Sequence, residues 1–185
     1  LLEREDVDDP VDEARLQVFW SDFTWRGVEF DFVKERQRAF SGLAAYSNEG
    51  YTLRVNEQSS MVLATVSSAE LFNVLGATPL MGRAFRAGDD RPGAAPITVV
   101  SHGFWQQELG GDPGVIGRRI EIDGAPVEVV GVMPAGFYFP SPMFRLWRPL
   151  LLDPATDHYQ GNGWLVLVGR ERLGVTPGER DADVQ

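Results

Sequence analysis

The chain has 185 residues, 43% of them hydrophobic, no cysteine and a formal net charge of −10. That length supports one ordinary core or two small lobes, and the absent thiols exclude disulfides, thiolate zinc sites and a cysteine nucleophile. Acidity without a basic stripe excludes a nucleic-acid binder, because phosphate affinity comes from Lys and Arg.

The charge sits at the ends: Leu1–Glu13 carries −6 and Glu179–Asp183 carries −2, leaving −2 for the body of the chain. Residues 1–13 therefore read as an acidic leader or linker. Within it, DVDDPVDE lacks the sixth-position glycine and terminal glutamate of an EF-hand loop, so a solvated segment is preferred to a metal site. Leu16, Val18 and Trp20 alternate as a strand. From Glu29 to Ala45, Phe32, Val33, Ala39, Phe40 and Leu43 recur at helical spacing, which predicts an amphipathic helix frayed by Gly42. Tyr51–Val55 and Met61–Val66 read as strands joined by a hairpin loop over Asn56–Ser60. Ser67 and Glu70 form a capping box for a short helix that stops at Gly76.

Gly82–Pro96 is a Gly-, Asp- and Pro-rich loop leading to a buried strand at Ile97–Val100. Ser101 caps the next helix, whose Phe104, Trp105 and Leu109 share a face, and Gly110 ends it. Asp112-Pro113 opens a brief turn. Ile120 and Ile122, Asp123-Gly124, then Val127, Val129 and Val130 spell a hairpin. Leu146–Leu150 reads as an edge strand because Pro149 cannot donate to a central ladder. Asp153–Asn162 is an irregular connection and Leu165–Val168 a buried strand. Thr176-Pro177-Gly178-Glu179 is a capping box opening a helix that runs past Gln185, so the sequence reads as a piece of a longer polypeptide. It contains no apolar run long enough to span a bilayer and no signal peptide. The irregular mixture of strands and helices predicts an α+β fold with two lobes.

Catalytic equipment is sparse. His102 follows Ser101 directly, a spacing that points the two side chains apart at a helix start, and VVSHG lacks the first glycine of a nucleophile elbow. His158 beside Asp157 reads as solvated. Asp89 and Asp90 are candidates for a carboxylate pair, but beside Arg91-Pro92-Gly93 they suit a turn better than a desolvated acid. No Walker A sequence is present, and Gly110-Gly111 and Gly114-x-x-Gly117 read as helix stops and turns. No catalytic, metal or cofactor residue is assigned, and no cofactor is expected. Phe137, Tyr138 and Phe139 stand in a row between Gly136 and Pro140; three adjacent rings cannot share one face. They divide between small cores or contribute a partner contact.

These motifs resemble the extracytoplasmic core domain of MacB-like ABC transporter permeases, the FtsX-related group, in its long acidobacterial type. The resemblance runs through FSGLAAY (Phe40–Tyr46), VSSAELFNVLGATPLMGRAF (Val66–Phe85), the stretch Asp90–Pro140, LWRPL (Leu146–Leu150) and VGRERLGVTPGE (Val168–Glu179). It implies residues 14–185 as one core domain outside the cytoplasmic membrane, inserted between two membrane helices of the permease. A middle lobe of roughly 50–150 would join an end-derived lobe from 14–49 and 151–185, left incomplete here. It further implies mechanotransmission, with ATP handled by a separate cytoplasmic ATPase, a dimeric full-length transporter, and an adaptor, export substrate or envelope protein as partner. The competing expectation is an independent extracytoplasmic peptide- or glycan-binding module or hydrolase.

Overall fold

The computed structural model describes residues 16–19, 24–55 and 57–183, with only the backbone of 16–19. Its elements run β1 (Leu16–Phe19), α1 (Gly27–Arg36), β2 (Phe40–Val55), β3 (Gln58–Ser67), α2 (Leu71–Leu75), β4 (Met81–Gly82), β5 (Ile97–Val100), α3 (His102–Glu108), β6 (Arg119–Ile122), β7 (Ala125–Val132), β8 (Phe144–Pro149), α4 (Asp157–Gln160), β9 (Val166–Glu171) and α5 (Pro177–Asp183). Short helices among many strands make this an α+β fold. Acidic DVDDPVDE and Trp20 lie outside the described residues, as does the His158 side chain.

All strands belong to one sheet, ordered β1-β9-β2-β3-β8-β5-β7-β4, with β6 bridging β7 back to β2. That bridge closes β2-β3-β8-β5-β7-β6 into a six-stranded ring. Alternation then points one set of side chains into it: Leu53, Val62, Ala64, Val100, Ile120, Ile122, Val127, Val129 and Leu146 share a buried cluster, with Phe104 and Leu109 of the α3 segment against it. The first half of β2 runs out of the ring and pairs with β9, from Phe40↔Glu171 to Tyr46↔Val166. There both sheet faces are covered. Leu43, Ala45 and Leu167 pack under Phe30 and Val33 of α1, while Ala44, Tyr46 and Val168 pack with Phe72 and Val74 of α2. A strand buried on both faces reads as a continuous apolar run, which is why GLAAY shows no alternation.

The expected helix over Glu29–Ala45 is therefore too long: α1 stops at Arg36, and Phe40 and Leu43 belong to β2. A β-bulge between Phe40 and Gly42 inserts one residue, so positions three apart land on the same face. Both side chains meet at Gly169, where an added Cβ would lie 2.7 Å from Phe40 Cδ1 and 3.2 Å from Leu43 Cδ1. The bulge thus imitates a helical period. Gln37, extended at φ −60° and ψ 145°, ends α1, and its Oε1 accepts from the Phe40 amide at 3.0 Å.

Three smaller expectations also change. The hairpin loop is shorter than Asn56–Ser60, since Val55 already pairs with Gln58; Glu57 at φ 67° makes the tight turn. Ser67 does not cap α2: it ends β3, and the N-cap position falls on Glu70, three residues later, with no side-chain cap. Asp90 acts near that helix start instead, its Oδ2 accepting from the Ala69 amide at 2.8 Å. β8 is no edge strand: it lies between β3, parallel, and β5, antiparallel. Pro149 is tolerated because it sits at the last pair, opposite Ser67.

Elsewhere the local chemistry reads directly into structure. Ser101 Oγ accepts from the Phe104 amide at 3.1 Å, and Gly110 takes φ 70° just past α3. Asp123 and Gly124, at φ 49° and 76°, form the β6–β7 turn, where two successive positive φ values match the twist of the strands. Thr176 and Glu179 exchange amide bonds at 2.9 and 3.3 Å to start α5. Asp153–Asn162 is irregular apart from the single turn of α4.

Trp147, 0% exposed, is the largest fully buried side chain among the described residues and packs with Phe72 and Phe137 at ring separations of 6.0 and 5.3 Å. Its Nε1 donates to Phe139 O at 3.2 Å, fixing the β7–β8 loop to the core. The 83–94 loop is held by Asp89, which accepts from Arg83 Nη1 at 2.6 Å and the Arg86 amide at 2.8 Å. Burial pushes the Asp89 carboxyl up, but Arg83 and the Arg86 amide outweigh it and hold its pKa below the ordinary value.

Trp147→Ala is expected to cost about 3–5 kcal/mol in urea unfolding. Asp89→Asn should lower stability at neutral pH by roughly 1 kcal/mol. Because the folded carboxyl titrates below the unfolded one, its contribution is complete above the unfolded pKa and is lost as pH falls through the folded pKa. The gap between wild type and Asp89→Asn should therefore close as unfolding midpoints are followed from pH 7 down into the acidic range.

Candidate functional site

The β7–β8 loop folds back beside α3 and leaves a cleft of about 460 Å³ between them. Pro134, Gly136, Phe137 and Tyr138 form one wall, and Ser101, His102, Gln107 and Arg145 face them. The structure thus brings together two groups of residues that the sequence kept apart, the Ser101-His102 pair and the aromatic row.

The aromatic row divides as its spacing requires. Phe139 is 9% exposed and packs edge-on against Tyr46 at 4.9 Å. Phe137 is half-buried against Phe72 and Trp147. Tyr138, 59% exposed, projects into the cleft. Loop chemistry drives this: Gly136 takes φ 88°, turning the chain so that the rings on either side of Tyr138 reach the core.

Ser101 is not arranged as a nucleophile. Its hydroxyl oxygen accepts the Phe104 amide, its own amide donates to Arg145 O at 2.9 Å, and the side chain is buried. His102 instead lies edge-on to Trp105 with ring centres 5.3 Å apart. Asp89 and Asp90 are engaged in holding their loop, as described above, and Asp89 is tuned away from acid catalysis by its arginine. Gly110 and Gly111, both at positive φ, turn the chain after α3, and Gly114 donates to Asp112 Oδ1 at 2.8 Å. Among the described residues, no three His, Asp or Glu side chains converge as a metal site.

Arg145 escaped the sequence reading. It reaches from β8 to α3, donating to Glu108 Oε1 at 3.1 Å and Gln107 Oε1 at 2.9 Å, and lies 5.3 Å from the Phe104 ring centre. Its partners are 37 and 38 residues away in sequence, so no local pattern marks them. With the guanidinium spent on these bonds, the cleft presents a mixed polar and aromatic surface. Among the described residues no helix is long and apolar enough to cross a membrane.

Comparison with known proteins places the architecture. The model of the MacB-like periplasmic core domain matches residues 4–173. The periplasmic region of MacB from Actinobacillus actinomycetemcomitans superposes with a TM-score of 0.68 at 13% identity, over 88% of this chain and 72% of that one. The extracellular domain of the noncanonic ABC-type transporter YknZ from Gram-positive bacteria gives 0.64 at 15% identity, over 91% of this chain and 86% of that one. The comparison with curated proteins gives no match. With a family model spanning nearly all of its length, the chain belongs to the MacB-like periplasmic core domain family of ABC transporter permeases.

Proposed function

We propose that this domain works outside the cytoplasmic membrane as a relay without chemistry of its own. It passes movement driven by a cytoplasmic ABC ATPase to an adaptor, an export substrate or an envelope protein. Family membership supports the extracytoplasmic position and the ATPase elsewhere in the full system. The observation that carries the relay is β2. Its 16 residues, about 50 Å of extended chain, pair with β9 in the open sheet and with β3 and β6 in the ring. Displacement applied where α1 and α5 meet the open sheet is carried to the ring through the backbone pairing of β2, continuous from Gly42 onward.

On this reading the ring and its outer layer are the middle lobe, roughly 50–150, and the open sheet with α1 and α5 is the lobe built from 14–49 and 151–185. The working full-length transporter is a dimer, and Tyr138, backed by Phe137 and Phe139, is the partner contact. A spent serine hydroxyl and a carboxylate with lowered pKa support a contact surface over a hydrolase.

A native sequence free of cysteine makes the test direct. Spin labels at Met61→Cys and Leu173→Cys, exposed by 75% and 82% in the parent, lie on opposite sides of the β2 junction. In the full-length transporter their separation within one copy, on the order of 40 Å from strand rise, should stay single and narrow with and without trapped nucleotide. The corresponding distance between copies should shift. A within-copy distribution that splits on nucleotide binding contradicts a rigid relay.

A further inference from the structure

Two register pairs, Leu53↔Ile122 and Arg54↔Glu121, close the ring at the β2–β6 seam. β6 continues to Arg119, and β2 turns into β3 at Val55↔Gln58. The strands separate there into a cleft of about 320 Å³ lined by Arg54, Arg118 and Arg119, with Glu57 and Glu121 beside them. Arg119 pairs with Glu128 of β7 on one side, and the β2 pairing ends before reaching it on the other. The cleft therefore contains an open strand edge.

Its arginines are held more loosely than three others of the chain. Arg83, Arg145 and Arg180 each hold a carboxylate within 3.3 Å. Arg54 and Glu121 are 3.7 Å apart with side chains 53% and 41% exposed, a pair worth little in water. Among the described residues Arg118 and Arg119 make no ion pair and no side-chain hydrogen bond. A chain of net charge −10 thus leaves two neighbouring guanidinium groups open in a concave site. Each presents a planar fork that fits a carboxylate bidentately.

We propose that this cleft receives an extended acidic peptide segment, its carboxylates on Arg118 and Arg119 and its backbone along the free edge of β6. Charge complementarity selects the acidic side chains, and the unpaired edge selects an extended chain, in the manner of strand addition. A compact phosphate engages a guanidinium but gains nothing from the strand edge. The site lies apart from the Tyr138 cleft and stands independently of the relay.

The test is titration of the isotope-labelled 185-residue protein with a hexaglutamate peptide, using inorganic phosphate in a parallel arm. Saturable binding that weakens with salt is expected, with amide shifts confined to Arg54, Val55, Glu57 and Arg118–Glu121. Arg118→Glu/Arg119→Glu should weaken it at least about tenfold, whereas Arg86→Glu/Arg91→Glu, the same charge change on the 83–94 loop, should leave it within about twofold. If the first double variant loses its folded spectrum, Arg118→Gln/Arg119→Gln reads the same loss. Equal weakening in both double variants, shifts centred elsewhere, no saturable peptide binding, or tighter binding of phosphate at the same amides each overturns the proposal.

Discussion

The backbone pairing of β2 is the constraint on which the rest of the molecule depends. One strand supplies a wall of the closed ring and one flank of β9 in the open sheet, so neither region owns a complete set of hydrogen-bonded neighbours without it. A buried amide without a partner costs more than most side-chain contacts return. The two regions are accordingly fastened by a ladder, in which slipping one residue would turn every inward side chain outward. Polar contacts reinforce the junction: Ser68 Oγ accepts from the Ala45 amide at 3.2 Å, and Lys34 reaches from α1 to Glu70 at 2.7 Å.

Close packing near the start of β2 follows from the same constraint. Gly169 yields the space that the Phe40 ring fills, so the bulge seats rather than frays the strand. Asp183 at the end of α5 accepts from the Arg38 and Ala39 amides, both at 2.5 Å, giving partners to donors that the α1–β2 elbow leaves outside the sheet. α5 buries none of its residues and is held by such polar contacts, including Arg180 to Glu171 at 3.3 Å. Elements with little buried apolar surface open at low cost, so these polar bonds are what keep α5 against the sheet.

Local chemistry was legible in the sequence wherever one turn or cap decided the outcome. Ser101, Gly110, Asp123-Gly124 and the Thr176–Glu179 box each act within four residues, and each reads directly into the structure. Apart from the tighter β2–β3 turn, the errors arose where partners are distant. The bulge at Phe40 disguised a strand as a helix, because same-face spacing of three is shared by both. Pro149 suggested an edge that parallel pairing with β3 removes. Asp90 displaced Ser67 from its expected role near α2 across 21 residues, and Arg145 acquired partners from another element. Closure of the ring was invisible for the same reason, since β6 meets β2 across about 70 residues and only two pairs. The aromatic row was half legible: alternation required its division, but only the fold assigns Phe139 to the core and Tyr138 to the cleft.

The central claim is that the ring and the open sheet form one cooperative unit because β2 belongs to both. Native-state hydrogen exchange across low denaturant concentrations tests it most directly. Amides of β9 at Leu167–Gly169 and of β7 at Val127–Val130 should share one opening free energy and one denaturant dependence, equal to those of global unfolding. If the β9 amides instead open at distinctly lower free energy, with a smaller denaturant slope, the open sheet unfolds independently of the ring and the account of β2 as a rigid connection is contradicted.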